Sequence, residues 1–228
     1  MLELRAALAF IPCVEFQPFD RHEEVRVHRQ HLPHWRQGGV TYFITFRLAD
    51  SLPVEKLRAW REERQTWLRV HGLHEVANVH TLPEIKQREF HQRFAGQLNA
   101  WLDAGYGSCR LRDPSAARIV GDALVFFDEQ RYRLGTWIVM PNHVHALVMP
   151  LPNFTLGKIV QSWKSFTARA INKRTNRTGE FWQRESYDHI VRHEEAWFAF
   201  SRYIRENPMK ARLKEGEYLV GEGEAAGR

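Results

Sequence analysis

Two groups of residues in this 228-residue chain have the types and spacing to carry chemistry. The first is Pro141-Asn142-His143-Val144-His145-Ala146-Leu147-Val148. Side chains alternate along a strand, so His143 and His145 share one face while the apolar Val144 turns to the other. Two imidazoles side by side form half of a divalent-metal site. A bare H-x-H is also compatible with strand histidines that bind nothing. A metallo-β-lactamase-type site needs H-x-H-x-D-H, and Ala146-Leu147-Val148-Met149 supplies no such ligands. An amidohydrolase-type pair sits in the first strand of a (β/α)₈ barrel, which needs roughly 250 residues. Neither fits.

The second group is Ser201-Arg202-Tyr203-Ile204-Arg205-Glu206-Asn207-Pro208. Tyr203 and Asn207 stand at i and i+4 and share a helix face. A phenol beside a short polar ligand can set a nucleophile against a metal whose other ligands lie on a neighbouring strand. The plainer readings are that Tyr203 extends the apolar stripe of Ala196 and Phe200, and that Asn207 before Pro208 is a helix stop.

The elements that must hold these groups follow from periodicity and turn signals. Val40–Leu48, after Gly38-Gly39, is the first strand. Asp50-Ser51-Leu52-Pro53 opens a helix, with Ser51 or Asp50 as cap and Pro53 in the first turn. That helix covers 54–70, with Leu57, Trp60, Trp67 and Leu68 at helical spacing, and a second helical stretch covers about 83–103. Asp113-Pro114-Ser115 opens another helix, with Ala117, Val120, Ala123, Leu124 and Phe127 on one face. Strands Tyr132–Val139 and His143–Met149 flank the turn Met140-Pro141-Asn142. A helix over Thr155–Thr175, a strand-like stretch over Phe181–Arg192, and a helix over Glu194–Asn207 stopped by Pro208 complete the core.

Without the insertion at about 54–112, the order is β-α-β-β-α-β-α. This is an α+β, ferredoxin-like core: an antiparallel sheet with helices on one face, plus a C-terminal helix. Residues 1–36 read as a basic N-terminal arm, 37–213 as a single domain carrying the insertion, and 214–228 as a loose Glu/Gly-rich tail.

Lys and Arg number 33 against 27 Asp and Glu, a formal charge of +6, and the distribution is uneven. Leu151–Gly179 holds no acidic residue but carries Lys158, Lys164, Arg169, Lys173, Arg174 and Arg177. Such a one-sign stretch suits phosphate, or is a solvated helix face. Trp163 and Phe166 lie within it as stacking platforms or as core; core is the stronger reading for Phe166, and Trp163 stays open between the two. Arg21–Arg36 could add phosphate contacts. Cys13 and Cys109 make neither a disulfide framework nor a CxxC site, which fits a reducing compartment. No run of about 18 apolar residues suggests a membrane span. Glu3 and Arg5 interrupt the N-terminal apolar stretch, so a cytoplasmic protein is expected. There is no GxxxxGK[ST] loop, so ATP is not implicated.

Taken together, Trp137–Val148 (WIVMPNHVHALV), Phe181–Arg192 (FWQRESYDHIVR) and Tyr203–Ala211 (YIRENPMKA) closely resemble the REP-associated tyrosine transposases. These are relatives of the insertion-sequence-200 transposases in the single-tyrosine HUH superfamily. The resemblance runs from about Leu32 to Leu213, with the blocks in family order and spacing. It implies an HUH core with the same ferredoxin-like fold and a catalytic C-terminal helix. His143 and His145 would be metal ligands, Tyr203 the nucleophile and Asn207 the third ligand. Tyr187 is the rival nucleophile, and Asp188 and His189 could approach the site.

The resemblance also implies single-strand DNA cleavage and rejoining through a 5′-phosphotyrosine, on single-stranded or hairpin DNA, by a monomer or homodimer. The cofactor would be Mg²⁺ or Mn²⁺, imidazoles tilting the choice toward Mn²⁺. Lys158, Lys164, Arg169, Lys173 and Arg174 would track the DNA backbone. The alternatives are a replication-initiator or relaxase-type nuclease, a domesticated and catalytically idle DNA-binding protein, and a metal-binding regulatory fold without DNA.

Overall fold

A computed structural model describes residues 26–29, 33–36 and 39–223. Within the stretch read as a basic arm, β1 (Arg26–Arg29) and β2 (Pro33–Arg36) pair antiparallel; the rest of that arm lies outside the described residues. The main sheet comprises β3 (Tyr42–Arg47), β4 (Tyr132–Val139), β5 (His143–Pro150), β6 (Tyr187–Ile190) and β7 (Leu219–Gly221), in the order β6-β3-β5-β4-β7. Every neighbouring pair is antiparallel. Helix α4 (Pro114–Val125) links β3 to β4, after the insertion, and α5 (Leu156–Arg174) links β5 to β6. Strands β3–β6 therefore take the ferredoxin-like order expected from the sequence.

Strand alternation divides the sheet into two faces. Tyr42, Ile44 and Phe46 of β3 and Val144, Ala146 and Val148 of β5 join Val120 and Leu124 of α4, and Ile159, Val160 and Trp163 of α5, in the larger core. Each such buried side chain contributes roughly 1.5–3 kcal/mol. A bulge between Leu134 and Trp137 lets both of these residues face that core although three positions apart. The expectation that Phe166 is core is corrected, and the open choice for Trp163 falls to core. Trp163 is buried, its Nε1 donating to the Tyr132 hydroxyl at 3.0 Å, while Phe166 is 54% exposed. The stripe Leu156, Ile159, Val160, Trp163, Thr167 and Ile171 sets the helix phase.

The opposite face is covered by α6 (Glu194–Lys210), whose Trp197, Phe200 and Ile204 pack on Phe43, Ile138, Leu147 and Val191. Pro208 does not end this helix at Asn207; the helix continues to Lys210. In the last turn a proline costs one backbone bond, and the Ala211 amide still closes onto the Asn207 carbonyl at 2.9 Å. Part of the stretch read as a loose tail supplies β7, which pairs with the outer edge of β4, and Leu219 packs against the core.

The insertion has its own apolar cluster, built from Trp60, Trp67, Leu68, Phe90 and Phe94. It comprises α1 (Val54–Val70), α2 (Glu84–Phe90) and α3 (Gly96–Asp103), the last two joined by a π-helical turn at His91–Ala95. Neither Asp50 nor Ser51 caps α1; Pro53 occupies the cap position. The Asp50 carboxylate instead accepts the Ser108 amide at 2.9 Å, fastening the far end of the insertion to its start. Gly107 makes this approach at φ +89°, where an added Cβ would lie 2.4 Å from the Asp50 carbonyl oxygen. Among the described residues no helix is long and apolar enough to cross a membrane.

Candidate metal and nucleophile site

In the β3–β5 ladder His143 lies opposite Arg47 and His145 opposite Thr45, all on the face covered by α6. Both histidines are fully buried. Their Nε2 atoms stand 3.0 Å apart. Nδ1 of His143 is 2.7 Å from Asn142 Oδ1, and Nδ1 of His145 is 2.7 Å from Thr45 Oγ1.

Donor logic gives the proton positions. Asn142 donates its amide nitrogen to the Tyr106 carbonyl at 3.1 Å, which turns its oxygen toward His143. An amide oxygen only accepts, so His143 carries its proton on Nδ1 and its Nε2 is a lone pair. His145 then donates from Nε2 and accepts from the Thr45 hydroxyl at Nδ1. Both rings are neutral. Burial pushes His143 down to about 3, with the Arg47 charge adding to the effect. Burial, with His143 as the second cause, holds His145 well below the ordinary imidazole range.

Helix α6 supplies the other residues. His193 caps it, its Nδ1 accepting the Ala196 amide. The Ser201 hydroxyl meets that of Thr136 on β4 at 2.5 Å, and Trp197 and Ile204 are buried. This phase brings the Tyr203 ring to 5.4 Å from that of His145, edge-on, and to 5.9 Å from Phe43. Phe43 stacks on His145 at 5.3 Å and on Phe200 at 4.5 Å, tying the strand and helix parts of the site together.

Asn207, one turn beyond Tyr203, is fully buried, and among the described residues neither atom of its amide has a hydrogen-bond partner. Leaving such a group unsatisfied costs about 1–3 kcal/mol. Among the described residues no three His, Cys, Asp or Glu side chains gather as a metal site. The donor set on offer is two imidazole nitrogens and an amide oxygen. It fits a divalent cation: the two Nε2 atoms converge, His143 already offers a lone pair there and His145 does so once its proton moves to Nδ1, and the orphaned amide has oxygen to give.

The remaining expected residues separate. Tyr187 on β6 lies opposite Thr45 and packs in the same cluster as Phe43 and Tyr203. Burial raises its pKa above the ordinary phenol value, with the Asp188 charge second. His189 stands 5.6 Å from Phe200 on this face, whereas Asp188 points away and lines a cleft of about 590 Å³ beside α5. Lys158, Arg169, Lys173 and Arg174 are exposed on α5. Lys164 is half-buried: its Nζ donates to the carbonyls of Gln183 and Arg184 at 2.5 and 2.9 Å, and burial lowers it to about 8. Asn142, Thr45, Phe43 and Arg47 had no place in the sequence-based site. The signal available for Thr45 and Arg47 was their alternation with apolar residues in Tyr42–Arg47.

Residues 124–207 match the family model described as IS200-like transposase. An uncharacterized protein of Haemophilus influenzae is 26% identical over 99 residues, covering 34% of this chain and 54% of that protein. The chain thus matches about half the length of that curated relative. A solved REP-associated tyrosine transposase bound to a REP hairpin has a TM-score of 0.43 and 14% identity, covering 80% of this chain and 72% of that one. The family match takes in His143, His145, Tyr203 and Asn207, so the resemblance read from the sequence holds over its motif-bearing part.

Proposed function

We propose that this chain is a metal-dependent, single-tyrosine DNA transesterase of the REP-associated, insertion-sequence-200-like type, acting in the cytoplasm on single-stranded or hairpin DNA. The observation that carries the reading is the approach of Tyr203, 5.4 Å ring to ring, to a buried and neutral histidine pair.

The Tyr203 phenol loses its proton and its oxygen attacks phosphorus. The bond from phosphorus to the 3′-oxygen breaks, that oxygen takes up a proton, and a 5′-phosphotyrosine remains. Attack by another 3′-OH reverses the step and restores the phenol, so the bond energy is kept and no nucleotide cofactor is consumed. A Mg²⁺ or Mn²⁺ held by His143, His145 and Asn207 would neutralise charge growing on the phosphate oxygens. For both Nε2 atoms to present lone pairs, His145 must carry its proton on Nδ1 instead and donate it to Thr45 Oγ1. Asn142 already holds His143 in the required tautomer. Phe43 and Phe200 exclude water from the inner side of the pair. Lys158, Arg169, Lys173 and Arg174 offer exposed cations for the DNA backbone, and Lys164 fastens the segment before β6 beside them.

The test is covalent trapping. The protein is incubated with labelled single-stranded hairpin DNA from repeats flanking its gene, with Mn²⁺ or Mg²⁺, and run on a denaturing gel. A metal-dependent adduct that disappears in Tyr203→Phe and survives in Tyr187→Phe is expected. An adduct lost only in Tyr187→Phe would keep the class and move the nucleophile. DNA shifted on a native gel without any adduct would favour the idle binder.

A further inference from the structure

We propose that the helical insertion is a positioning unit for the histidine pair. Its closing loop, through the backbone carbonyl of Tyr106, holds the Asn142 side chain in the orientation that keeps Nε2 of His143 a lone pair for a divalent cation. This deepens the proposed metal-dependent function and rests on it.

An asparagine amide keeps nearly the same shape when its oxygen and nitrogen exchange places, so its neighbours decide which way it points. Asn142 is buried, and its Nδ2 donates to the Tyr106 carbonyl at 3.1 Å. Its Oδ1 lies 2.7 Å from Nδ1 of His143. A carbonyl can only accept, so Tyr106 requires the nitrogen and His143 receives the oxygen. With the amide reversed, Nδ2 would donate to Nδ1 of His143. The imidazole proton would then sit on Nε2, where a cation needs a lone pair. The choice of tautomer is thus made at a backbone atom 36 positions upstream.

Tyr106 is held in turn by contacts within the insertion. Lys56 of α1 donates from Nζ to the Tyr106 hydroxyl at 2.6 Å. The same ammonium lies 4.2 Å over the Tyr106 ring and 5.7 Å over that of Trp101, a cation–π arrangement that fixes the tyrosine on both counts. One residue on, Gly107 abuts the Asp50 carbonyl, and the Ser108 amide donates to the Asp50 carboxylate. The Leu111 amide then donates to the Pro141 carbonyl at 3.0 Å, while the Leu48 amide donates to the Asn142 carbonyl at 2.8 Å. The turn that carries His143 is therefore gripped by the insertion's closing loop on one side and by the residue after β3 on the other. Lys56, Tyr106, Asn142 and His143 form one continuous chain of contacts from α1 to the first histidine.

The experiment uses the full chain, metal-free and isotope-labelled in its histidine ring nitrogens. Long-range proton–nitrogen correlation spectra report which ring nitrogen bears the proton, and His143→Gln identifies the His143 signals. Calorimetric titration with Mn²⁺ then measures affinity. In the wild-type chain His143 should carry its proton on Nδ1. Asn142→Leu should move that proton to Nε2 and lower Mn²⁺ affinity about 10–100-fold. Lys56→Met and Gly107→Ala touch neither histidine. Each should shift part of the His143 population to the Nε2 tautomer, with affinity down at least about twofold. Arg58→Gln, an exposed position on α1, should change neither reading. A purely structural insertion would alter the melting temperature in these variants but not the tautomer. Tautomer and affinity unchanged in both Lys56→Met and Gly107→Ala, with a Tyr203-dependent adduct still formed, would overturn the positioning role and leave the proposed function standing, even if Asn142→Leu folds poorly. A wild-type chain that neither binds Mn²⁺ nor forms an adduct would overturn both.

Discussion

The hydroxyl of Thr45 on β3 lies 2.7 Å from Nδ1 of His145 on the adjacent strand, so one histidine is held by a residue a hundred positions away. A hydroxyl can donate or accept, and it therefore supports either tautomer of His145. Valine has the same shape and can do neither. Thr45→Val should lower Mn²⁺ affinity tenfold or more, in the range typical of outer-shell partners of metal-bound histidines, which is about 10–100-fold. Isothermal titration of the folded variant with Mn²⁺ measures this directly; unchanged affinity would remove Thr45 from the site.

Asn207 is a second point of tension. Its buried amide is unsatisfied among the described residues, so an apolar residue of similar size should stabilise the fold while disabling the site. Asn207→Leu is expected to raise stability by roughly 1–3 kcal/mol and to abolish adduct formation. Urea denaturation and the trapping gel together check it. A destabilised variant would mean that the amide has partners in the folded protein.

Stability should also depend on pH in a set direction. His143 and His145 are held neutral, with His143 at about 3, whereas an unfolded chain returns imidazoles to about 6.5. Between those limits the unfolded state binds more protons. The stabilisation is complete above about pH 6.5 and is lost as the pH falls toward 3, reaching on the order of a few kcal/mol. Denaturation midpoints measured between about pH 7 and pH 4 should fall, and the double substitution His143→Gln, His145→Gln should flatten the fall.

Removing residues 214–228 should destabilise the domain rather than trim it. β7 supplies backbone pairing to β4, Leu219 packs on the core, and Glu222 forms an ion pair with Arg205 of α6. A loss of roughly 1–3 kcal/mol is expected from the strand pairing and apolar burial together. A truncated chain that melts at the full-length temperature would contradict this.

Much of this arrangement is legible in the sequence, because it is periodic. The alternation in Tyr42–Arg47 and His143–Val148 assigns each residue to a face, and the order of elements gives the ferredoxin-like topology. Helical spacing alone brings Tyr203 and Asn207 together. What escaped detection depends on register or on tertiary phase. Thr45 becomes a histidine partner only once β3 and β5 are aligned, and Trp67 meets Glu89 only once the insertion folds back on α1. Trp163 and Phe166 are three positions apart on one helix, and composition does not say which turns inward. Pro208 carries a local stop signal that the last turn of a helix tolerates.

The alternation in β5 has a consequence for inheritance. His143, His145 and Leu147 serve one face while Val144, Ala146 and Val148 serve the other, so a single inserted or deleted residue in this strand exchanges the two sets. Both imidazoles would then enter the packed interior, and two aliphatic side chains would stand before Tyr203. An indel there would remove the reactive pair and the core-facing side of β5 in one event. A lineage carrying this gene should therefore accumulate length variation in the insertion and at the termini, and almost none between Tyr132 and Pro150.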